Sequence, residues 1–179
     1  LGWLSMDVFS HGLWGAAAVK ALNLKRKTQD SLMWAAFWGM FPDIFAFAPT
    51  FVFRLFHGLD FGPPTRDPAG MMVLPGMSLA LSLYNLSHSL VVFLFVVGIY
   101  FVIRKRVPWI LVGWPLHILL DIPTHDHRFF PTPFLWPIPH PKVDGISWGT
   151  PWILIPNYLL IIAAFIALAV WERRLKRVQ

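Results

Sequence analysis

Apolar residues run in long, nearly unbroken stretches at about 3–22, 31–56, 78–103, 107–123 and 149–171, with short polar segments between them. A helix needs roughly 20 apolar residues to cross a bilayer, so the pattern predicts an all-α, polytopic membrane bundle of about five helices. The first and fourth stretches are the weakest. His11 interrupts one, the other is short and holds Pro115, and the count falls to four if either is a partial span. The chain, 1–179, reads as one integral-membrane domain with longer loops at about 57–77 and 124–148.

Charge placement orients this bundle. The junctions at 23–30, 104–106 and 172–177, together with Lys20, hold 11 of the 15 Lys and Arg, leaving Arg54, Arg66, Arg128 and Lys142 elsewhere. Five alternating helices put those junctions on one side, and an excess of Lys and Arg marks the cytoplasmic face. The expected topology is N-terminus outside, C-terminus inside, in the cytoplasmic (inner) membrane, with both long loops outside. The same topology accounts for the net charge of +6, so no nucleic-acid partner is implied. Composition agrees: mean hydropathy is +0.58 and 13% of residues are charged, against roughly 25% in soluble domains. With no cysteine, disulfides, Fe–S clusters and thiol nucleophiles are excluded. The opening Leu1-Gly2-Trp3 lacks a basic n-region and a small-residue cleavage site, so this end is expected to stay in place. Six prolines between Pro123 and Pro141, interleaved with Phe129, Phe130, Phe134 and Trp136, predict an ordered cap at the interface. Trp3, Trp136, Trp148 and Trp152 read as interfacial anchors, and His57 and His140 as surface residues.

Ionisable residues inside membrane helices are costly and by default functional, and this chain has several. His11 lies in the first helix, Asp43 in the second, His88 in the third, and His117 with Asp121 in the fourth. With this topology, at about 1.5 Å per residue, all five converge on the outer half of the bilayer. His117 and Asp121 are four apart, on one helix face. Asp7 and His11 repeat the spacing in reverse, so Asp7 could be a ligand or could orient His11. Beyond Pro123, the segment Thr124-His125-Asp126-His127 sits where it could complete a site. Mixed imidazole and carboxylate donors suit Zn²⁺ best, with Mn²⁺ or Fe²⁺ as alternatives. A proton relay and structural hydrogen bonding are the competing readings. Pro42 and Pro115 are expected to kink their helices beside Asp43 and His117.

The order His11-Gly12, Phe41-Pro42-Asp43, Leu86-Ser87-His88-Ser89, His117-x3-Asp121-x2-Thr124 and Leu135-Trp136-Pro137 resembles the membrane-bound metal-dependent hydrolases. These are also called LexA-binding, inner-membrane-associated hydrolases, and they are distantly similar to zinc-dependent phospholipase C. The resemblance covers about residues 7–137. It implies phosphoester hydrolysis, with His11, Asp43, His88, His117 and Asp121 as metal-site residues and Thr124 as a supporting hydroxyl for substrate. The second acidic residue that the family often carries after Pro-Asp is absent here, where Phe45 follows Ile44. That argues against a full multi-metal cluster unless the extra His125-Asp126-His127 group compensates.

Together these features predict an enzyme: a membrane-embedded, phospholipase C-like metallohydrolase acting on a lipid or lipid-linked phosphoester from the noncytoplasmic side. Asp43 is the expected bridging ligand, Asp126 or Asp7 the base, His125 an added metal ligand, and Arg128, Lys142 and Arg66 the phosphate-binding cations. The alternatives are a non-enzymatic metal-ion or proton transport protein and a structural assembly subunit, with a homo-oligomer left open. The last helix has no His or acid between Trp152 and Trp171 and is expected to do packing only. No Gly-x-Ser-x-Gly elbow and no His-Glu-x-x-His motif is present, which argues against a serine hydrolase or zincin.

Overall fold

A computed structural model describes residues 7–59, 76–127 and 130–178. The elements are α1 (Val8–Arg26), α2 (Leu32–Phe56), α3 (Met77–Ser87), α4 (Leu90–Arg104), a 3₁₀ turn (Trp109–Val112), α5 (Gly113–Thr124) and α6 (Pro151–Val178), with no strand among the described residues. Each start has a local cause. The Asp7 carboxylate caps α1 by accepting from Ser10 N at 3.1 Å, and Ser31 and Ser89 cap α2 and α4. At the other end of α1, Lys27 takes a left-handed conformation and its N–H closes on Asn23 O.

Two helices, α2 and α6, are long and apolar enough to cross a membrane, and a third crossing forms if α3 and α4 are one bent span. The expectation of five full spans is therefore narrowed. The 12 residues of α5 reach only about 18 Å, and α1 carries Lys20, Lys25 and Arg26 in its second half. The stretch read as one continuous third helix is two helices meeting at 60° around His88. Pro115 lies in the first turn of α5, directly after the 3₁₀ turn Trp109–Val112.

The basic junctions gather at one end of the bundle. α1 and α6 run parallel, tied at one end by Lys20 Nζ to Glu172 Oε2 at 2.7 Å and at the other by Asn157 and Tyr158 reaching Asp7. Arg26 stacks its guanidinium over Trp109, 4.7 Å from the ring centroid, just past the 104–106 junction. His11 and Asp7 lie at the opposite end of α1.

Glycines let α1, α2 and α5 meet backbone to backbone. A methyl group on Gly15 would lie 2.7 Å from Ala35 O, and one on Gly113 would lie 2.7 Å from Gly39 N. A methyl on Gly39 would run into the carbonyl of His11. Small residues at such crossings are the usual basis of close helix packing in lipid, where van der Waals contact replaces the hydrophobic drive. A second cluster of Ala46, Met77, Ala80, Tyr84 and Phe130 fastens α3 to α2. By contrast, α4 buries none of its residues, and α6 leaves Trp152, Ile155, Leu159, Ile162 and Ile166 exposed. Apolar surface of that extent suits lipid contact.

The seam makes a directional expectation. Gly39→Ala should destabilise the bundle by about 1–3 kcal/mol through overpacking. Gly98→Ala, at a position where a methyl group meets nothing within 4 Å, should be neutral or stabilising by up to about 1 kcal/mol. Thermal unfolding in detergent checks both, and equal melting temperatures for the two variants would rule out the seam as a tight contact.

Candidate metal centre

α2 brings Asp43 to the centre one residue after Pro42, whose carbonyl accepts a bond from Ser87 Oγ at 2.9 Å. That bond fixes the end of α3, and a second fixes the break beyond it: Ser87 O accepts from the Trp114 indole at 2.6 Å. Leu90 N donates to Phe134 O at 2.9 Å, and Ser89 Oγ donates to Trp136 O while also capping Val92 N at 3.2 Å. The polar groups freed by interrupting a helix are thereby matched, as apolar surroundings require. The interruption leaves His88 at the junction, fully buried and stacked on Tyr84 with ring centroids 3.8 Å apart.

The five intramembrane residues read from the sequence meet, and His125 joins them. His88 is 0% exposed, His117 and Asp121 are 1%, His125 is 3%, Asp43 is 4% and His11 is 6%. His117 Nε2 lies 3.1 Å from His88 Nε2 and 3.8 Å from Asp43 Oδ1, and His88 Nε2 lies 3.5 Å from Asp43 Oδ1. Asp121 stands across from this trio, with Oδ2 at 3.0 Å from His117 Nε2 and 3.3 Å from His88 Nε2. Its Oδ1 faces the other way, 3.1 Å from His11 Nε2 and 3.5 Å from His125 Nδ1. Neither Asp121 oxygen takes a hydrogen bond.

The backbone fixes the protonation of two histidines. His117 Nδ1 is 2.7 Å from Gly39 O, and His88 Nδ1 is 3.2 Å from Tyr84 O. A carbonyl oxygen only accepts, so both Nδ1 atoms carry the proton, and in the neutral rings both Nε2 atoms present lone pairs. Two such lone pairs 3.1 Å apart, beside carboxylates, repel unless a proton or a cation lies between them. Tetrahedral donors about 2.1 Å from a divalent ion stand about 3.4 Å from one another. The three separations within Asp43, His88 and His117 bracket that spacing. This trio and the trio His11, His117 and Asp121 could each hold a metal ion. Three protein donors also leave a coordination position open, as catalytic sites need.

His125, outside the spanning segments, is neutral near pH 7: burial pushes its imidazole below the ordinary range, against the opposing pull of the Asp121 carboxylate. It sits on a cap of backbone bonds, with Gly145 N donating to His125 O at 2.8 Å, Ile146 N to Pro123 O at 2.9 Å and Trp148 N to Thr124 O at 3.1 Å. The Trp148 ring then stands edge-on to His11 with centroids 6.2 Å apart, which gives this tryptophan a place over the centre besides any anchoring role.

Other residues singled out in the sequence lie elsewhere. The Asp7 carboxylate takes Ser10 N, Asn157 Nδ2 at 3.2 Å and Tyr158 OH at 2.5 Å, so it joins α1 to α6 and leaves His11 Nδ1 without a partner. Thr124 Oγ1 donates to Leu120 O at 2.7 Å within its own helix. Lys142 is exposed and Asp126 is half-buried. Arg66, Arg128 and Phe129 lie outside the described residues. His57 is exposed and His140 is half-buried, and each bonds to a nearby carbonyl. Sequence reasoning passed over Tyr84, Trp114 and the Gly39 carbonyl, named Ser87 only as part of a motif, and gave α6 no polar role although Asn157 and Tyr158 interrupt its apolar run.

A scan against protein-family models gave no match, and searches of curated proteins and of solved structures gave no significant match either.

A metal centre here would couple charge to stability. Chelation should lower the melting temperature of the wild type, since an ion present at 1,000 times its Kd stabilises by about 4 kcal/mol. Asp43→Asn removes a donor and the carboxylate that His88 and His117 face at 3.5 and 3.8 Å, so it should lower the stability of the metal-free protein and reduce the gain on adding metal. Melting curves with and without chelator give both signs, and two unchanged curves would count against a metal at this place.

Proposed function

We propose that this protein is a membrane-embedded metal-dependent hydrolase that cleaves a phosphoester of a lipid or lipid-linked substrate. The observation that carries the reading is the pair His88 and His117, whose Nδ1 protons are held by backbone carbonyls while their Nε2 atoms meet beside Asp43. Imidazoles that ligate metals are oriented in this way by a second partner. The family resemblance adds support, because the residues that carry it are the ones that meet. His11, Asp43, His88, His117 and Asp121 form the cluster, and Trp136 of the later Leu-Trp-Pro element receives the Ser89 hydroxyl.

A divalent ion bound here, with Zn²⁺ the first choice, would supply Lewis acidity toward a phosphoryl oxygen and toward water. The chain's own groups then have distinct tasks. Asp43, His88 and His117 hold and orient the ion. Asp121 turns one oxygen to His88 and His117 and the other to His11 and His125, so it would hold these imidazoles in place around the ion. Asp126, half-buried next to His125, is the carboxylate best placed to act as base, because Asp7 already accepts three donors. Substrate reaches the centre when the cap around His125 and Trp148 moves aside, which also keeps bulk water out in the closed form. The cluster lies at the end of the bundle away from the basic junctions, and an excess of Lys and Arg marks the cytoplasmic side. The site is therefore assigned to the noncytoplasmic side of the inner membrane.

The transport reading needs a polar path through the whole bilayer. Beyond the cluster toward the basic end, α1, α2 and α5 touch through Gly15, Ala35, Gly39 and Gly113 with no room for a methyl group. A buried cluster confined to one end of the bundle fits hydrolysis better than passage.

With phospholipids and lipid-linked phosphoesters in mixed micelles, metal-loaded wild type should release the phosphorylated or dephosphorylated head group. Asp43→Asn and His117→Ala should each lose at least about 10³-fold in kcat/KM, about 4 kcal/mol. Lys20→Ala, at the opposite end, should keep full activity. Activity retained in both centre variants would refute the assignment, and metal or proton flux in proteoliposomes that depended on His88 would favour transport.

A further inference from the structure

We infer that the basic end of the bundle is a docking surface for anionic phospholipid headgroups of the cytoplasmic leaflet, centred where the 25–27 and 104–106 junctions meet. This surface lies at the end opposite the polar cluster and does not depend on the hydrolase reading.

The two junctions converge on one ring. The Arg26 guanidinium lies 4.7 Å from the centroid of Trp109, and Arg104, Lys105 and Arg106 precede that tryptophan by three to five residues. Lys25, Arg26, Lys27, Arg104, Lys105 and Arg106 are all exposed. Among the described residues none of the six is in an ion pair with a carboxylate. The described acids at this end are Asp30 and Glu172, and Glu172 is already held between Lys20 at 2.7 Å and Lys176 at 2.8 Å. Six uncompensated cations beside a leaflet that carries anionic lipid attract its phosphates, each over about one Debye length.

The surface also sits at headgroup depth. Trp34 near the start of α2, Trp109 in the 3₁₀ turn and Trp171 just before Glu172 are each more than a third exposed. Tryptophans in such a ring settle at the boundary between hydrocarbon and headgroups, and the six cations lie at that same end.

Two of the lysines occupy positions that a lysine fills at a cost. Lys27 and Lys105 end α1 and α4 with φ of 54° and 51°, and their N–H groups close on Asn23 O and Phe101 O. Glycine takes this left-handed position without the steric penalty of a Cβ. Membrane topology and the helix dipole both favour a cation near each of these helix ends, but Lys25, Arg26 and Arg104 already meet those demands. A lysine at the left-handed position itself adds charge at the expense of stability, and a headgroup phosphate offsets that expense.

The test titrates the detergent-purified full chain, in zwitterionic micelles, with phosphatidylglycerol, phosphatidylcholine, inorganic phosphate or a short duplex DNA at equal phosphate concentration. Retained lipid is read by native mass spectrometry, and the response to every ligand by melting temperature. Wild type should retain phosphatidylglycerol over phosphatidylcholine and lose that preference at about 1 M salt. Each cation removed should weaken the binding about fivefold, so Lys27→Gly with Lys105→Gly should lose about 30-fold. The same pair should melt at or above wild type in zwitterionic micelles, since both left-handed strains are relieved. Arg104→Gln with Arg106→Gln, which leaves those positions alone, should lose about as much affinity without a rise in melting temperature. If the glycine pair melts below wild type or fails to fold, the glutamine pair decides. Equal retention of the two lipids by wild type, or unchanged phosphatidylglycerol affinity in the folded double variants, overturns the inference. A melting shift with inorganic phosphate or DNA as large as that with phosphatidylglycerol overturns it too, because the surface would then attract any anion.

Discussion

Placing the carboxylates of Asp43 and Asp121 inside an apolar bundle is the constraint from which the rest of the structure follows. A buried charge without compensation costs several kcal/mol, and no rearrangement of Leu, Phe and Ala can supply what a carboxylate loses on leaving water. The partners provided are imidazoles from two helices, from the break between α3 and α4, and from the cap. Each must arrive at donor distance, and the helices must be shaped to bring it there. The break at His88 and Ser89 is one such device. A straight helix would carry His88 past the centre with its backbone bonds closed, whereas the 60° bend puts its ring at the junction.

The glycine contacts are the second device. His11 lies one residue before Gly12 on α1, and Asp43 lies four after Gly39 on α2. His117 lies four after Gly113 on α5. The points at which three backbones touch are thus about one turn from the three side chains that must converge. Gly39 serves twice: its missing side chain admits the His11 carbonyl, and its own carbonyl holds the His117 ring. Packing and protonation state are set by the same residue. The cap completes the arrangement by holding the Pro123–His125 segment through three backbone bonds and laying Trp148 against His11.

Much of the centre was legible because polar residues in apolar runs stand out. His11, Asp43, His88, His117 and Asp121 needed only their depth along each helix to be placed together, and the four-residue spacing of His117 and Asp121 put both on one face. The Asp7 and His11 spacing was a weaker guide, since Asp7 is the last residue before the helix and its carboxylate turns back to cap it. The helix break was hidden by continuity: the run from 78 to 103 stays apolar across it, and the sole local sign is a serine on each side of His88. Among the described residues two or three helices pass as spans where the pattern predicted about five, for a related reason. Hydropathy counts apolar residues whether they face lipid or a neighbouring helix, and α5 is apolar because it is enclosed, with Trp114, His117, Ile118 and Asp121 buried, although it is only 12 residues long. The roles of Asn157, Ser87 and the Gly39 carbonyl depend on which helices touch, and a single sequence holds no such information.

The close packing and the polar cluster also divide the bundle along its length. Toward the basic end α1, α2 and α5 approach through Gly15, Ala35, Gly39 and Gly113 until no methyl group fits. Toward the other end the same helices separate enough to admit imidazole rings, and the 123–148 segment closes the gap. A change that loosens the glycine contacts would shift the donors as well as the helices, because the centre is less than two turns away on each. Stability of the fold and geometry of the centre are therefore not independent in this protein. The region free to move without disturbing the donors on α2, α3 and α5 is the cap, and it carries His125 and packs Trp148 against His11. Motion there would shift His125 and Trp148 and leave Asp43, His88 and His117 in place.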